Sequence, residues 1–508
     1  MRHCLEEYHK IVIPTPHVRV EGSLSNMKNK LKTATTFVEK YGAWIILIFF
    51  TISYILLVLH RYWQFQYFFT DSVYFQKAFW HVARLQAPIV DHRILGTIHI
   101  FGDHFHPTIF FLSLLLPFVG SHEITQLAMI VPLSLSLVLA MKVGSLLIKN
   151  AWILMAIIFA SFLYLGTQHA MIFGFHEVHL VPVFFWIMVY GYFFNKNIVY
   201  LAGLVLLLLT KETMAVVVFC WGLFLLISGK RSQFRHALVI MGVALGYFFV
   251  VTKMIIPYFS TGYLYSTSIS LPKDLPSLIN LLILPTEKIG TFFVSMASFG
   301  FLPLLNPATL PLVLQDFLLR YLFPIQGNIQ YTLEFHYGIA LAPLLTFSSI
   351  WTVHVWEKKV HTLILFPIAI FIMSACLGFH MFYQGRGPLQ QVYIPAFYSV
   401  TKDNAFLWEL VDKVPKKGKI ATMNHLGFAL ADRDVYQLPL TIAQLHTLDP
   451  DYVVYDKRRE QSPANILSFN SFDDYLEFID ELEKDKGYKE YFSKGTLRIL
   501  QKVSNTRF

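Results

Sequence analysis

A chain of 508 residues is long enough for roughly two or three soluble domains, but the composition excludes that reading. Hydrophobic residues make up 55% and charged residues only 14%, against about 25% charged in an average soluble domain. So few charges cannot cover so much apolar surface in water, which leaves an α-helical polytopic membrane protein.

The net charge of +9 does not point to nucleic acid. The excess of Lys and Arg lies in the first 380 residues, beside apolar runs, while the remainder is balanced. There it sets orientation and needs no partner beyond membrane lipids. Cys4, Cys220 and Cys376 stand far apart and suggest neither a disulfide framework nor a zinc site.

A bilayer core of about 30 Å needs about 20 apolar residues as helix. After an N-terminal segment, 1–42, about eleven runs between 43 and 380 approach that length. They are 43–60, 123–147, 152–166, 179–194, 198–210, 213–229, 236–258, 289–305, 309–323, 336–353 and 361–380. The N-terminal segment lacks an early apolar stretch, so the first run reads as an uncleaved anchor. With the N-terminus cytoplasmic, Lys and Arg favour the inner segments, fifteen against nine. This predicts a multi-pass cell-membrane protein with residues 381–508 outside.

The first outer loop, 61–122, holds Asp71, Asp91, Asp103 and the histidines His81, His92, His99, His104, His106 and His122. Asp71 opens an amphipathic segment, 73–85, predicted to lie on the membrane. It is either the N-cap of that helix or a general base for an attacking hydroxyl. His104 and His106 flank Phe105, so an extended chain would turn both imidazoles one way. With Asp103 they are candidates for a divalent cation, magnesium or manganese, or for holding phosphate oxygens. The apolar, Pro-bounded stretch 107–119 reads as a re-entrant or interfacial helix.

Further along, His176 and Glu177 stand at the mouth of a span, and His336, followed by Tyr337, opens another. Lys211 and Glu212 interrupt an apolar run where neutral residues would be cheaper. They either neutralise each other or present Lys211 to a phosphate, with Glu212 orienting it. Asp316 and Arg320, at i,i+4, read as a self-neutralising pair. Most of these groups gather on the outer side, whereas a transporter holds its charges near mid-membrane. The pattern suggests a reaction at the membrane–water boundary.

From about 400 the texture changes. Segments 419–423, 434–438, 452–456 and 496–503 read as strands, with helices over 402–413, 424–431 and 471–484. Together they predict a small C-terminal α/β domain without a phosphate-binding glycine loop.

Several segments are similar to one family. D-S-V-Y-F-Q-K-A-F-W (71–80), H-F-H-P (104–107), F-G-F-H-E-V-H-L-V-P (173–182), L-L-T-K-E-T (208–213) and F-H-Y-G-I-A-L-A-P (335–343) stand in order. With 419–436 and 451–456 they resemble the predicted membrane proteins of domain of unknown function 2079. That family in turn resembles the GT-C glycosyltransferases, which use sugars carried on polyprenyl phosphate and invert the anomeric centre. The resemblance implies a GT-C-like domain over 43–380 and an acidic residue in the first outer loop, a position taken by Asp71. It implies a polyprenyl-phosphate-linked sugar as donor and a glycan, lipid or protein as acceptor. His104, His106, His176, Glu177, Lys211, Glu212, His336 and Tyr337 would then bind substrate. Asp71 is followed by Ser72 and Val73 instead of a second acidic residue, which weighs against a metal-dependent mechanism. The alternative from another class is a flippase or transporter of lipid-linked saccharides.

Overall fold

Residues Thr36–Trp63 are apolar with few interruptions and form the latter part of one long helix, α1 (His17–Trp63). The computed structural model describes residues 17–92, 96–229, 231–260, 272, 274–322, 329–359, 364–383, 387–459 and 461–503. Side chains are described from residue 36 onward, apart from Thr70, Asp71, His92, Ser121 and His122.

After α1 the chain makes a π-helical turn, Phe69–Val73, and enters α2 (Tyr74–Ala83). A hairpin of β1 (Ile89–His92) and β2 (Gly96–His99) follows, then α3 (Thr108–Ser113). The bundle continues with α4 (Ser121–Leu147), α5 (Ala151–Leu163), α6 (Leu165–Phe173), α7 (Val181–Phe193), α8 (Asn197–Leu208) and α9 (Met214–Ser228). Next come α10 (Phe234–Val250), α11 (Ile256–Phe259), α12 (Leu275–Ile283), α13 (Glu287–Ala297), α14 (Leu310–Tyr321), α15 (Leu341–Trp356) and α16 (Leu365–Phe382).

Among the described residues, five helical stretches are long and apolar enough to cross a membrane. They are Thr36–Trp63, Glu123–Leu147, Ala151–Phe173, Arg231–Phe259 and Leu365–Phe382. A sixth is possible only if α12 and α13, bent by 65°, count as one span. The count therefore falls short of the eleven runs expected from sequence. Helices α8, α9 and α15 have 12, 15 and 16 residues, or about 18–24 Å at 1.5 Å per residue. Helix α14, with Asp316 and Arg320 on it, has 12. A helix apolar all round is as well explained by burial in protein as by lipid. The Ala151–Phe173 stretch is 83% buried, whereas Arg231–Phe259 is 28% buried. The first is the centre of the bundle and the second a peripheral helix.

The C-terminal expectation holds closely. Helix α17 (Lys402–Lys413) leads into β3 (Lys419–Thr422), α18 (Asn424–Ala429), β4 (Asp434–Gln437), α19 (Ile442–Leu448) and β5 (Tyr452–Asp456). Helix α20 (Phe472–Lys484), β6 (Tyr488–Lys494) and β7 (Leu497–Lys502) complete it. The sheet order is β4-β3-β5-β7-β6; β3 runs parallel to β4 and β5, and β7 antiparallel to β5 and β6.

This domain sits on the first loop. Phe69 N donates to Asn424 Oδ1 at 2.8 Å, and Trp80 Nε1 to the Asp432 carbonyl at 3.0 Å. Lys77, largely buried, pairs with Asp91 at 3.0 Å and lies 3.4 Å from the centre of the Tyr436 ring. The cationic contact with an aromatic face is favourable where water is excluded. The turn carrying Asp71 is thus covered by α18.

Candidate functional site

The H-F-H-P segment is irregular chain between a 3-10 turn, Ile100–Gly102, and α3. Thr108 N donates to the Leu209 carbonyl at 3.3 Å, which ties the segment to the α8–α9 junction. There Glu212, fully buried, lies 2.7 Å from His104 Nδ1 and accepts from Phe105 N at 3.1 Å. Burial alone would raise the Glu212 carboxyl, but His104 and Lys211 hold it down at about 2. Burial likewise works against a charged His104, and the Asp103 and Glu212 carboxylates outweigh it, raising the imidazole above 6.5. His104 and Glu212 form an ion pair between two segments far apart in the chain.

Lys211 does not pair with its neighbour. Its Nζ lies 2.8 Å from Glu177 Oε1, across the bundle at the entry to α7. Burial lowers the tendency of Lys211 to carry charge, but Glu177 and Glu212 more than restore it. The other oxygen of Glu177 contacts His176 Nδ1 at 2.5 Å. The His176 ring stacks on His336, with centroids 3.6 Å apart and planes 15° from parallel. Tyr337 lies beside His336, at 4.2 Å between centroids. His336 is held there by a backbone contact. A Cβ added at Gly338 would come within 2.4 Å of Gly166 Cα, so only glycine permits this approach of α6 to the chain before α15.

His179, next in F-H-E-V-H, is structural. Its Nδ1 accepts from His176 N at 3.1 Å, and its Nε2 donates to the Ala170 carbonyl at 3.2 Å. Nδ1 also lies 2.9 Å from the His176 carbonyl, so both ring nitrogens are engaged within this turn.

Lys211, His104, His336 and Tyr337 line one cavity of about 130 Å³. Asp316 and Arg320 line it as well, with Gln315 and Gln330. Arg320 Nη2 pairs with Asp316 Oδ2 at 2.7 Å, and Nη1 donates to the carbonyls of Gln330 and Thr332 at 3.3 Å. Sequence spacing identified this ion pair but not its place in the cavity. At about 30 Å³ per water the cavity has room for about four, enough for a phosphate-sized group. It is below the roughly 300 Å³ of a full small-molecule pocket.

His106 takes a different position from His104. It is 1% exposed, and its ring lies against Phe75 and Phe101. Neither nitrogen has a hydrogen-bond partner. Burial pushes it down to about 4, so it stands neutral. Asp103, His104 and His106, the candidates for a divalent cation, do not converge: His104 Nδ1 is engaged by Glu212, its Nε2 is 3.9 Å from Asp103, and His106 faces aromatic rings. Among the described residues no group of three or more His, Cys, Asp or Glu is arranged to hold a metal.

The Asp71 side chain lies outside the described residues; its backbone belongs to the turn Phe69–Val73. The N-cap of α2 is Val73, so the capping alternative for Asp71 is not met. The turn does border the cluster. Gly174, at φ +114°, passes so close to Ser72 that a Cβ there would be 2.1 Å from its Oγ. One turn further on, the Phe75 ring is 5.0 Å from His176 and 5.6 Å from His106.

A family model described as "Predicted membrane protein (DUF2079)" matches residues 61–477. No curated protein matches the chain.

Proposed function

We propose that this chain, which belongs to the DUF2079 family of predicted membrane proteins, is an integral-membrane glycosyltransferase. It would move a sugar from a polyprenyl-phosphate donor to an acceptor at the outer face of the cell membrane. The observation that carries this reading is the cavity bordered by Lys211, Arg320, His104 and His336 at one end of the bundle. Nitrogen donors from four separate segments converge there on a space of phosphate size, and Phe75, just after the turn of Asp71, packs on the His176 ring that stacks on His336.

In this reading the acceptor hydroxyl oxygen bonds to the anomeric carbon as the bond from that carbon to the phosphate oxygen breaks. Asp71 takes the hydroxyl proton, and polyprenyl phosphate departs with the bonding pair and its negative charge. Lys211 and Arg320 stabilise that charge from fixed positions, Lys211 through Glu177 and Arg320 through Asp316. Glu212 acts on His104 and not, as its position beside Lys211 suggested, chiefly on the lysine. The leaving group is already a good one, so positioning supplies much of the required help.

The first loop and the C-terminal domain lie together in this scheme, on the outer side, with the N-terminus cytoplasmic. The shorter buried helices complete an eleven-segment GT-C-like arrangement without each having to span a full bilayer. The C-terminal domain covers the Asp71 turn and contributes to acceptor recognition.

The test is turnover of purified protein on a panel of polyprenyl-phosphate sugars, with and without EDTA. Release of free polyprenyl phosphate with one donor is expected. Absence of release from every donor, with labelled lipid crossing proteoliposomes instead, would replace this reading with a flippase.

A further inference from the structure

Away from the Lys211 cavity, α1, α4, α5 and the end of α15 border a second space. Helix α1 contributes Lys40 and Trp44 near the start of its apolar stretch, α15 contributes His354 near its end, and Lys358 follows it. The α4–α5 junction supplies Lys149, and the space measures about 720 Å³. That volume is within the range of small-ligand pockets. It is remote from the chemistry proposed above, because α15 borders the Lys211 cavity with its first turn, at Leu344, and this one with its last, at His354.

We propose that this cavity binds the headgroup of an anionic phospholipid, with Lys40, Lys149 and Lys358 around the phosphodiester and Trp44 at the acyl boundary. The proposal does not depend on the transferase reading.

Several side chains are already committed in ways that leave the ammonium groups available. Glu357 accepts from the backbone N–H groups of Lys149 and Asn150, at 2.9 Å for each shorter contact, and so caps the start of α5. Its charge is spent on the helix terminus. His354 Nδ1 donates to the Leu147 carbonyl at 2.7 Å, which leaves Nε2 to accept from Lys358 Nζ at 3.2 Å. That arrangement steers Lys358. None of the three lysines forms an ion pair among the described residues. Three lysines against Glu39 and Glu357 leave the lining one positive charge in excess. A phosphodiester carries one negative charge, so an anionic lipid neutralises it. Trp44 is half exposed beside the cavity, an amphipathic ring of the kind that settles at headgroup level.

The experiment is native mass spectrometry of the full chain in a neutral detergent, titrated with phosphatidylglycerol, phosphatidylcholine or inorganic phosphate. Phosphatidylglycerol should be retained at about tenfold lower concentration than phosphatidylcholine, a difference of about 1.4 kcal/mol. The combined variant Lys40→Gln, Lys149→Gln, Lys358→Gln should erase that preference, while replacement of the three by Arg should keep it. Glu39→Gln removes a like charge from the lining and should tighten phosphatidylglycerol retention about twofold, a gain that misfolding cannot imitate. Equal retention of the two lipids by the unaltered protein would overturn the proposal. So would undiminished preference in the glutamine variant. Displacement of phosphatidylglycerol by micromolar inorganic phosphate would reassign the cavity to a soluble phosphate ligand.

Discussion

Lys211 and Glu177 meet at 2.8 Å between segments that sequence places far apart, while Glu212, adjacent to Lys211, is taken by His104. Glu177 is fully buried and the Lys211 side chain is 13% exposed. Removing one partner leaves the other charge without compensation in a poorly solvated place, which costs about 3–5 kcal/mol. Glu177→Gln should therefore lower the unfolding midpoint markedly. Adding Lys211→Met should recover part of the loss, because the double variant has no orphan charge. Thermal unfolding in detergent of the two single variants and the double variant measures this. Strictly additive losses would mean that the pair is not coupled.

The His104–Glu212 pair gives a pH dependence with a definite sign. His104 is raised above 6.5, so its contribution is complete below 6.5 and is lost as pH rises through the raised value. Glu212 is lowered from 4.5 to about 2, so its contribution is complete above 4.5 and is lost as pH falls toward 2. The pair should stabilise the protein most between about 4.5 and 6.5. The difference in unfolding midpoint between the unaltered protein and His104→Gln should be greatest in that window and shrink above it. A difference that grows with increasing pH would contradict the assignment.

How much of this was legible in sequence depends on the range of the interaction involved. The strands β3, β4, β5 and β7 follow from short apolar runs bounded by turn residues, and all four form. Strand β6 went unread because Y-K-E-Y-F-S-K lies at the sheet edge, where polar residues alternate with aromatics and little is buried. The long spans were legible from length. The shorter runs also form helices, as α7, α8, α9, α14 and α15, but hydropathy does not distinguish a side chain facing lipid from one facing the buried centre of the bundle, so their number as spans was not legible. The site residues were legible individually, as charges in costly places. Their grouping was not, since the Lys211–Glu177 pair and the meeting of Arg320 and His336 around one cavity are products of tertiary packing. Adjacency in sequence suggested Lys211–Glu212, and the fold separates them by sending each toward a different loop.

Gly427 controls the seat of the C-terminal domain. A Cβ there would lie 2.2 Å from the Phe69 ring, so α18 reaches the Asp71 turn only with glycine at this position. Gly427→Leu should push α18 off the turn at an overpacking cost of about 1–3 kcal/mol. Hydrogen exchange over 66–76 should then quicken by about tenfold, with the β3–β5 core still protected. Unchanged exchange in that segment would show that the two surfaces are not coupled.

Asp71 is the residue on which the proposed chemistry turns. Asparagine is nearly the same size but cannot take a proton from an acceptor hydroxyl, so Asp71→Asn isolates the acid–base role from packing. Loss of a general base costs about 10²–10⁴-fold in turnover. The variant should keep the unfolding midpoint of the unaltered protein and its affinity for the donor lipid, while polyprenyl phosphate release falls by that factor. Asp71→Glu, which retains a carboxylate at a displaced position, should recover part of the rate. If Asp71→Asn turned over at the unaltered rate, the base would have to be sought among the neighbours of the turn. His106 would then come first, because it is neutral at ordinary pH and both its nitrogens lack hydrogen-bond partners.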